Sequence, residues 1–189
     1  DPPTIFCPPN VSIGCNDSMD PSETGFATAI DDCTIDPAIG YVDLPLGGNC
    51  PPSTVIESTR RIWNAVDEAG NINTCDQIIS VVDFDAPKLS GPPDLFLECN
   101  GEGGVLSTDP KVQDWAAEFS AVDECSDVTE SLNLPKLFPS GCAPGQETLV
   151  IYSAADECNN GDFLVRTVTV VDTTPPDLSC DAQPLVLWP

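Results

Sequence analysis

The residues that could do chemistry here are cysteines and carboxylates. The 189-residue chain carries 10 Cys, 31 Asp and Glu, 6 Lys and Arg, and no His, for a formal net charge of −25. Cysteine and histidine together would suggest zinc, but there is no His and no paired C-x-x-C unit. An even number of widely spaced cysteines reads instead as a disulfide framework, and so as an oxidising, extracellular compartment. Carboxylates in such number suit hard cations, above all calcium, which takes six to eight oxygen ligands. They also repel nucleic acid and anionic membrane.

The same inventory excludes most catalysis. A tuned general base or an activated nucleophile is needed, and with no His and the cysteines assigned to disulfides none stands out. The run Gly101-Glu102-Gly103-Gly104 has no following lysine or helix to cradle a phosphate. The six basic residues are scattered, so there is no basic patch. No stretch is long and apolar enough to span a membrane. There is no signal peptide, as expected of a processed exported chain or an internal segment of a longer one. Asn10-Val-Ser12 and Asn16-Asp-Ser18 are N-glycosylation sequons, which makes Asn10 and Asn16 acceptor sites in a glycosylating cell.

The elements that must position these groups come in two copies. RIWNAVDEAGN at 61–71 and IISVVDFDAP at 78–87 recur 89 residues later as VIYSAADECNN and VTVVDTTPP. CPPNVSIGC at 7–15 recurs as GPPDLFLEC at 91–99, and AIDDC at 29–33 as AVDEC at 121–125. The offset drifts, as it does when one fold carries loops of different length. We therefore expect repeat one over 1–84, repeat two over 85–173, and a tail, 174–189, that opens a third repeat or serves as an assembly tail. Each copy holds several short alternating apolar runs punctuated by Pro, Gly, Asn and Asp, which predicts an all-β sandwich. One helix interrupts the second copy. Asp109-Pro110 supplies a cap and first-turn proline, and Val112, Trp115, Ala116 and Phe119 follow at helical spacing. Trp115, Phe119, Trp63 and Tyr152 all read as core.

The segments WNAVDEAGNINTCDQIISVVDFDAP and SAADECNNGDFLVRTVTVVDTTPP resemble the hyalin repeat (HYR) and its relatives. The likeness covers nearly the whole chain. These are immunoglobulin-like modules of large bacterial surface adhesins, notably of Bacteroidetes, and of some animal extracellular proteins. The resemblance implies tandem immunoglobulin-like β-sandwiches with an adhesive or structural role and no catalysis.

Comparing the copies suggests which cysteines pair. Cys7 and Cys75 are replaced together, by Gly91 and Leu164. Cys33 and Cys50 recur together as Cys125 and Cys142. Cys99 and Cys158 stand where the first copy has Cys15 and Ala69. The expected bonds are Cys7–Cys75, Cys33–Cys50, Cys99–Cys158 and Cys125–Cys142. Cys15 and Cys180 are left over. Either Cys180 bonds within a third repeat and Cys15 is free or pairs elsewhere, or Cys15 and Cys180 join molecules head to tail into a filament.

Acids gather where the copies meet. Asp67-Glu68 and Asp156-Glu157 precede the last strand of each copy, Asp83 and Asp85 lie in the first linker, and Asp172 in the second. These seven are the candidate calcium ligands, against a plain reading as solvated acidic surface. Asp31-Asp32 and Asp123-Glu124 are either further ligands or turn formers, and the turn reading is preferred. The function expected is a non-catalytic, disulfide-stabilised spacer in a cell-surface repeat protein or fibre. Its partners would be neighbouring repeats and a possible glycan or protein ligand. The alternative is a carbohydrate- or protein-binding accessory module of a secreted enzyme, for which Trp188 is the candidate exposed aromatic.

Overall fold

A computed structural model of the chain describes residues 1–100, 103–139 and 147–175. Cys142, Asp177, Cys180, Trp188 and most of the 174–189 tail lie outside the described residues. The chain is all-β, built of sandwich repeats, with two short helices among the described residues.

In chain order the first copy contributes β1 (Thr4–Phe6), β2 (Val11–Gly14), α1 (Pro21–Thr24), β3 (Thr28–Ile30), β4 (Ala38–Pro45), β5 (Val55–Val66) and β6 (Ile72–Val82). Four of them form a sheet in the order β2-β6-β5-β4, and β1 pairs with β3 in a separate two-stranded sheet. The β2–β6 pair is parallel, whereas β4–β5 and β5–β6 are antiparallel. Strand alternation puts one face of β5 and β6 inside. Thr59, Arg61, Trp63 and Ala65 are buried on β5, and Gln77, Ile79 and Val81 on β6. Two of these are strongly polar and both are satisfied. Gln77 Nε2 donates to the carbonyls of Pro9 and Thr24, and its Oε1 accepts from Trp63 Nε1. Arg61, 1 % exposed, forks onto both Asp43 oxygens at 2.8 Å and lies over the Tyr41 ring at 4.4 Å.

The second copy contributes β7 (Lys88–Ser90), β8 (Leu95–Glu98), β9 (Gly104–Leu106), α2 (Pro110–Ala116), β10 (Ser120–Val122), β11 (Val128–Leu132), β12 (Leu137–Pro139), β13 (Glu147–Asp156) and β14 (Gly161–Val171). Its four-stranded sheet runs β11-β13-β14-β8, the same order as in the first copy, and β7 pairs with β10 as β1 does with β3. Even the register repeats. Gly14 lies opposite Val82, and Glu98 opposite Val171. A two-stranded antiparallel sheet of β9 and β12 is added.

Helix α2 starts where its signals place it: Asp109 Oδ1 accepts from Lys111 N at 2.9 Å and Pro110 opens the first turn. Val112 and Trp115 are buried, and Trp115 Nε1 donates to the Pro93 carbonyl at 2.8 Å. The helix ends at Ala116, so Phe119 is buried from beyond its end rather than from its fourth position.

The compact units do not follow the sequence copies. One comprises Asp1–Gly91, Glu118–Leu132 and Ile151–Leu164; the other comprises Pro92–Ala117, Asn133–Val150 and Val165–Pro189. The first holds the Ile13, Ile79 and Val81 core, packed against Val11, Cys15, Met19 and Ile56. Leu97, Val105, Val112, Trp115, Phe138, Val150, Val168 and Val170 are buried in the second.

Candidate functional site: an acidic, disulfide-bordered cleft

The sequence motifs repeated in both copies are loop closures. Asp67 Oδ1 accepts from Asn71 N and Oδ2 from Asn71 Nδ2, both at 2.7 Å. Asp156 makes the same two bonds with Asn160, at the same lengths. The D-E-x-x-N pattern is thus a tight turn between two long strands, held by its first and last residues. The hydrogen bonds from Asn71 hold the Asp67 carboxyl below its ordinary value. A second pair of closures lies in the D-[DE]-C loops. Asp31 Oδ1 accepts from Cys33 N and Thr34 N, and Asp123 Oδ1 from Cys125 N and Ser126 N. These are the expected turn formers.

Asp83 stands apart. It follows β6, is 1 % exposed, and has Asp123 and Asp156 as charged neighbours. Its Oδ1 accepts from Asp85 N at 3.2 Å and its Oδ2 from Ser126 Oγ at 3.4 Å. Asn160 Nδ2 reaches its carbonyl at 3.3 Å. Burial pushes the Asp83 carboxyl up, and the Asp123 and Asp156 carboxylates push it the same way. Beside it opens a cleft of about 670 Å³, lined among others by Ser12, Asn16, Asp17, Asp85, Asp123 and Glu124. Lys88 also lines it, but its Nζ is bonded to Glu124 Oε1 at 3.2 Å. Among the described residues, no basic side chain pairs with Asp83 or Asp123.

Asp83, Asp123 and Cys125 each bring one ligand-type atom within 4.8 Å of the others. Cys125 is bonded to Cys15, so its sulfur is not a thiolate and is a poor ligand. The donor set that remains is oxygen, which suits a hard cation.

Of the seven expected ligands, only Asp83 belongs to this cluster; Asp85 lines the same cleft, and Asp156, with both oxygens bonded to Asn160, acts on Asp83 as a neighbouring charge. Asp67 and Glu68 are at the other loop, where Glu68 N donates to Thr34 Oγ1 at 3.1 Å. Glu157 is exposed. Asp172, which takes the place of Asp83 in the second copy, is exposed too. Asp123, Ser126 and Asn160 complete the site and were not among the expected ligands. The signal for Asp123 is present: the AVDEC run recurs and allows either a ligand or a turn, of which the turn is preferred. Asn10 and Asn16 are both exposed; Asn10 Oδ1 accepts from Ile78 N at 2.8 Å, and Asn16 Nδ2 donates to Glu124 Oε2 at 3.2 Å.

Among the described residues, three disulfides are formed. Cys7 is joined to Cys75 with Cα atoms 5.8 Å apart, Cys15 to Cys125 at 5.5 Å, and Cys50 to Cys158 at 4.7 Å. Cys33–Cys50, Cys99–Cys158 and Cys125–Cys142 are therefore replaced. Comparing copies shows which cysteines are gained and lost together. It does not show partners that lie in different copies, and both replacing bonds are of that kind. Cys15 is likewise committed to Cys125, which leaves it no sulfur for a bond to Cys180 of another molecule. Cys33 is exposed and outside any disulfide.

No family model matches the chain, and no curated protein does. Among solved structures, cadherin ectodomains are similar at low identity. A protocadherin gammaB7 EC3-6 cis-dimer matches with 14% identity and a TM-score of 0.33, over 90% of this chain and 48% of that one. Drosophila N-cadherin EC1-4 matches with 16% identity and a TM-score of 0.35, over 92% and 50%. The human desmocollin-1 ectodomain matches with 13% identity and a TM-score of 0.29, over 95% and 38%. The chain spans about half the length of the first two.

Proposed function

We propose that the chain is a non-catalytic segment of an extracellular adhesive or structural repeat protein, acting as a disulfide-stapled spacer. The observation that carries this reading is the pair of long-range bonds. Cys15–Cys125 and Cys50–Cys158 tie residues 110 and 108 positions apart, each joining the first sequence copy to the second. Staples placed this way resist separation of the copies under tension, and a load-bearing spacer has that requirement. The net charge of −25 keeps such an array soluble.

The acidic cleft gives the spacer a calcium site. A carboxylate buried with two carboxylate neighbours and no basic partner is costly unless a cation joins it. Asp83 and Asp123, with Asp85 in the same cleft wall, fit calcium by donor type. The cation would offset the repulsion and stiffen the segments it binds.

Force spectroscopy on the intact chain tests the spacer. Under oxidising conditions, extension should stop short of the contour length, and a reductant should release the locked residues. Full extension without reductant would overturn the reading. Thermal melts with calcium and with EDTA test the ion separately. A stabilisation by calcium that Asp123→Asn abolishes supports it, and identical melts refute it.

A further inference from the structure

Strand β4 is an edge strand of the β2-β6-β5-β4 sheet; among the described residues, nothing pairs with its outer side. It is eight residues long and apolar on both faces: Ile39, Tyr41, Val42 and Leu44, with Leu46 just beyond, are 41–57 % exposed. Edge strands of that length and character are normally blunted by charge, proline or a bulge, because their free N–H and C=O groups invite another strand; β4 has proline only at its last residue, Pro45, and its one acid, Asp43, is taken up by Arg61. The second copy does blunt its equivalent. There, β11 is five residues long and carries Glu130 in its middle.

Charge selects the occupant. Two chains of net charge −25 repel over most of their surface. Around β4 that repulsion is absent. Asp43 is the one charged residue from Ala38 to Gly48, and it is forked onto Arg61. Arg60, on the neighbouring strand, is paired with Asp76. The strip is therefore both apolar and electrically balanced. That is the surface on which one copy of so acidic a chain can meet another.

We propose that β4 pairs antiparallel with β4 of a second copy, extending the sheet across a twofold axis. The pairing is self-complementary: each strand offers the same unpaired backbone groups and the same apolar rows, as an isologous contact requires. It joins chains side by side, and so is independent of the staples and of the ion proposed above.

Sedimentation velocity on the intact oxidised chain tests this, across a concentration series at about 50 mM and about 500 mM salt. The expected result is a reversible dimer that strengthens with salt as the residual repulsion is screened. Val42→Lys and Leu44→Lys should each weaken it at least tenfold. Thr129→Lys, on the blunted β11 edge, should leave it unchanged. Val42 and Leu44 are well exposed, and circular dichroism of each variant verifies its fold. A chain that stays monomeric at both salts, or a dimer that ignores both β4 lysines, overturns the proposal. So does a wild-type monomer that captures a glycan or another protein through β4.

Discussion

A Cβ on Gly91 would fall 2.5 Å from Cδ1 of the Phe119 ring, closer than real Cβ contacts come. It would also lie 3.1 Å from Leu164. Gly91 and Leu164 are the residues that replace Cys7 and Cys75 in the second copy. Where one copy has a disulfide, the other thus has an aromatic ring packed onto a glycine. The expected cost of Gly91→Ala is about 1–3 kcal/mol, the usual penalty for overpacking. Urea unfolding measures it. A neutral Gly91→Ala would mean the ring does not occupy this space.

The Asp156–Asn160 closure has a similar consequence. Asn160 satisfies both Asp156 oxygens and also reaches the Asp83 carbonyl, so three acceptors depend on one residue. Backbone N–H survives Asn160→Ala, but both side-chain bonds are lost. The expected destabilisation is roughly 1–3 kcal/mol. Asn71→Ala should act in the same direction but less, since the side-chain amide of Asn71 serves Asp67 alone among the described bonds. Equal effects in chemical denaturation would remove the special role of Asn160.

Much of this fold was legible in the residues, and the illegible part has a physical reason. Trp63 reads as core and is buried, the alternation in TRRIWNAV and QIISVV marks the strands whose inner faces also bury Ile79 and Val81, and the internal repeat anticipates a shared fold. The Asp109-Pro110 start of α2 was equally clear, because capping is local chemistry. Cysteine partners were not clear. A disulfide is fixed by where two chain segments meet in space, and Cys15 and Cys125 belong to different copies. The candidate site was half legible for the same reason. Its linker acid Asp83 is marked by sequence context, while Asp123 and Asn160 join it only through the fold. Arg61 at the centre of a sheet was also unforeseeable from an apolar alternation that it interrupts.

Arg61 has a testable weight. Its guanidinium makes a bidentate contact with Asp43, a bond to Thr24 Oγ1 at 2.9 Å, and the contact with the Tyr41 ring. The Asp43 bonds raise its already high affinity for a proton, against the opposing effect of burial. Arg61→Ala leaves a cavity and an unpaired carboxylate. Asp43 is partly solvated, which moderates the loss to roughly 2–4 kcal/mol. Arg61→Lys keeps the charge but not the planar fork and should fall between. If the lysine variant equals wild type, the bidentate geometry contributes nothing.

The buried Asp83 should give the metal-free chain a distinctive pH response. Its folded value lies above its ordinary 3.8, so between the two the folded state holds more proton than the unfolded. Stability must then fall as pH rises through that window. Asp83→Asn should remove this term, matching wild type below about pH 4 and exceeding it at neutral pH in EDTA. Glu98 behaves oppositely. Bonds from the Thr173 and Thr174 backbones and hydroxyls lower its value, so its contribution is present above the ordinary 4.5 and lost on acidification. Glu98→Gln should therefore cost stability at pH 7 and little at pH 3. Urea midpoints at pH 3 and pH 7 check both signs, and an Asp83→Asn chain less stable than wild type in EDTA at pH 7 would contradict the first.

Cys33 and Cys125 occupy the same position in the same loop closure, but only Cys125 has met a sulfur. Their reactivity should differ accordingly. Iodoacetamide on the folded, unreduced chain should modify Cys33, which is exposed, and leave Cys125 untouched. Peptide mapping without reductant should recover the Cys15–Cys125 and Cys50–Cys158 links alongside Cys7–Cys75. Recovery of a Cys33–Cys50 link would exclude Cys50–Cys158: the first copy would then be stapled within itself, and Cys15–Cys125 alone would tie it to the second.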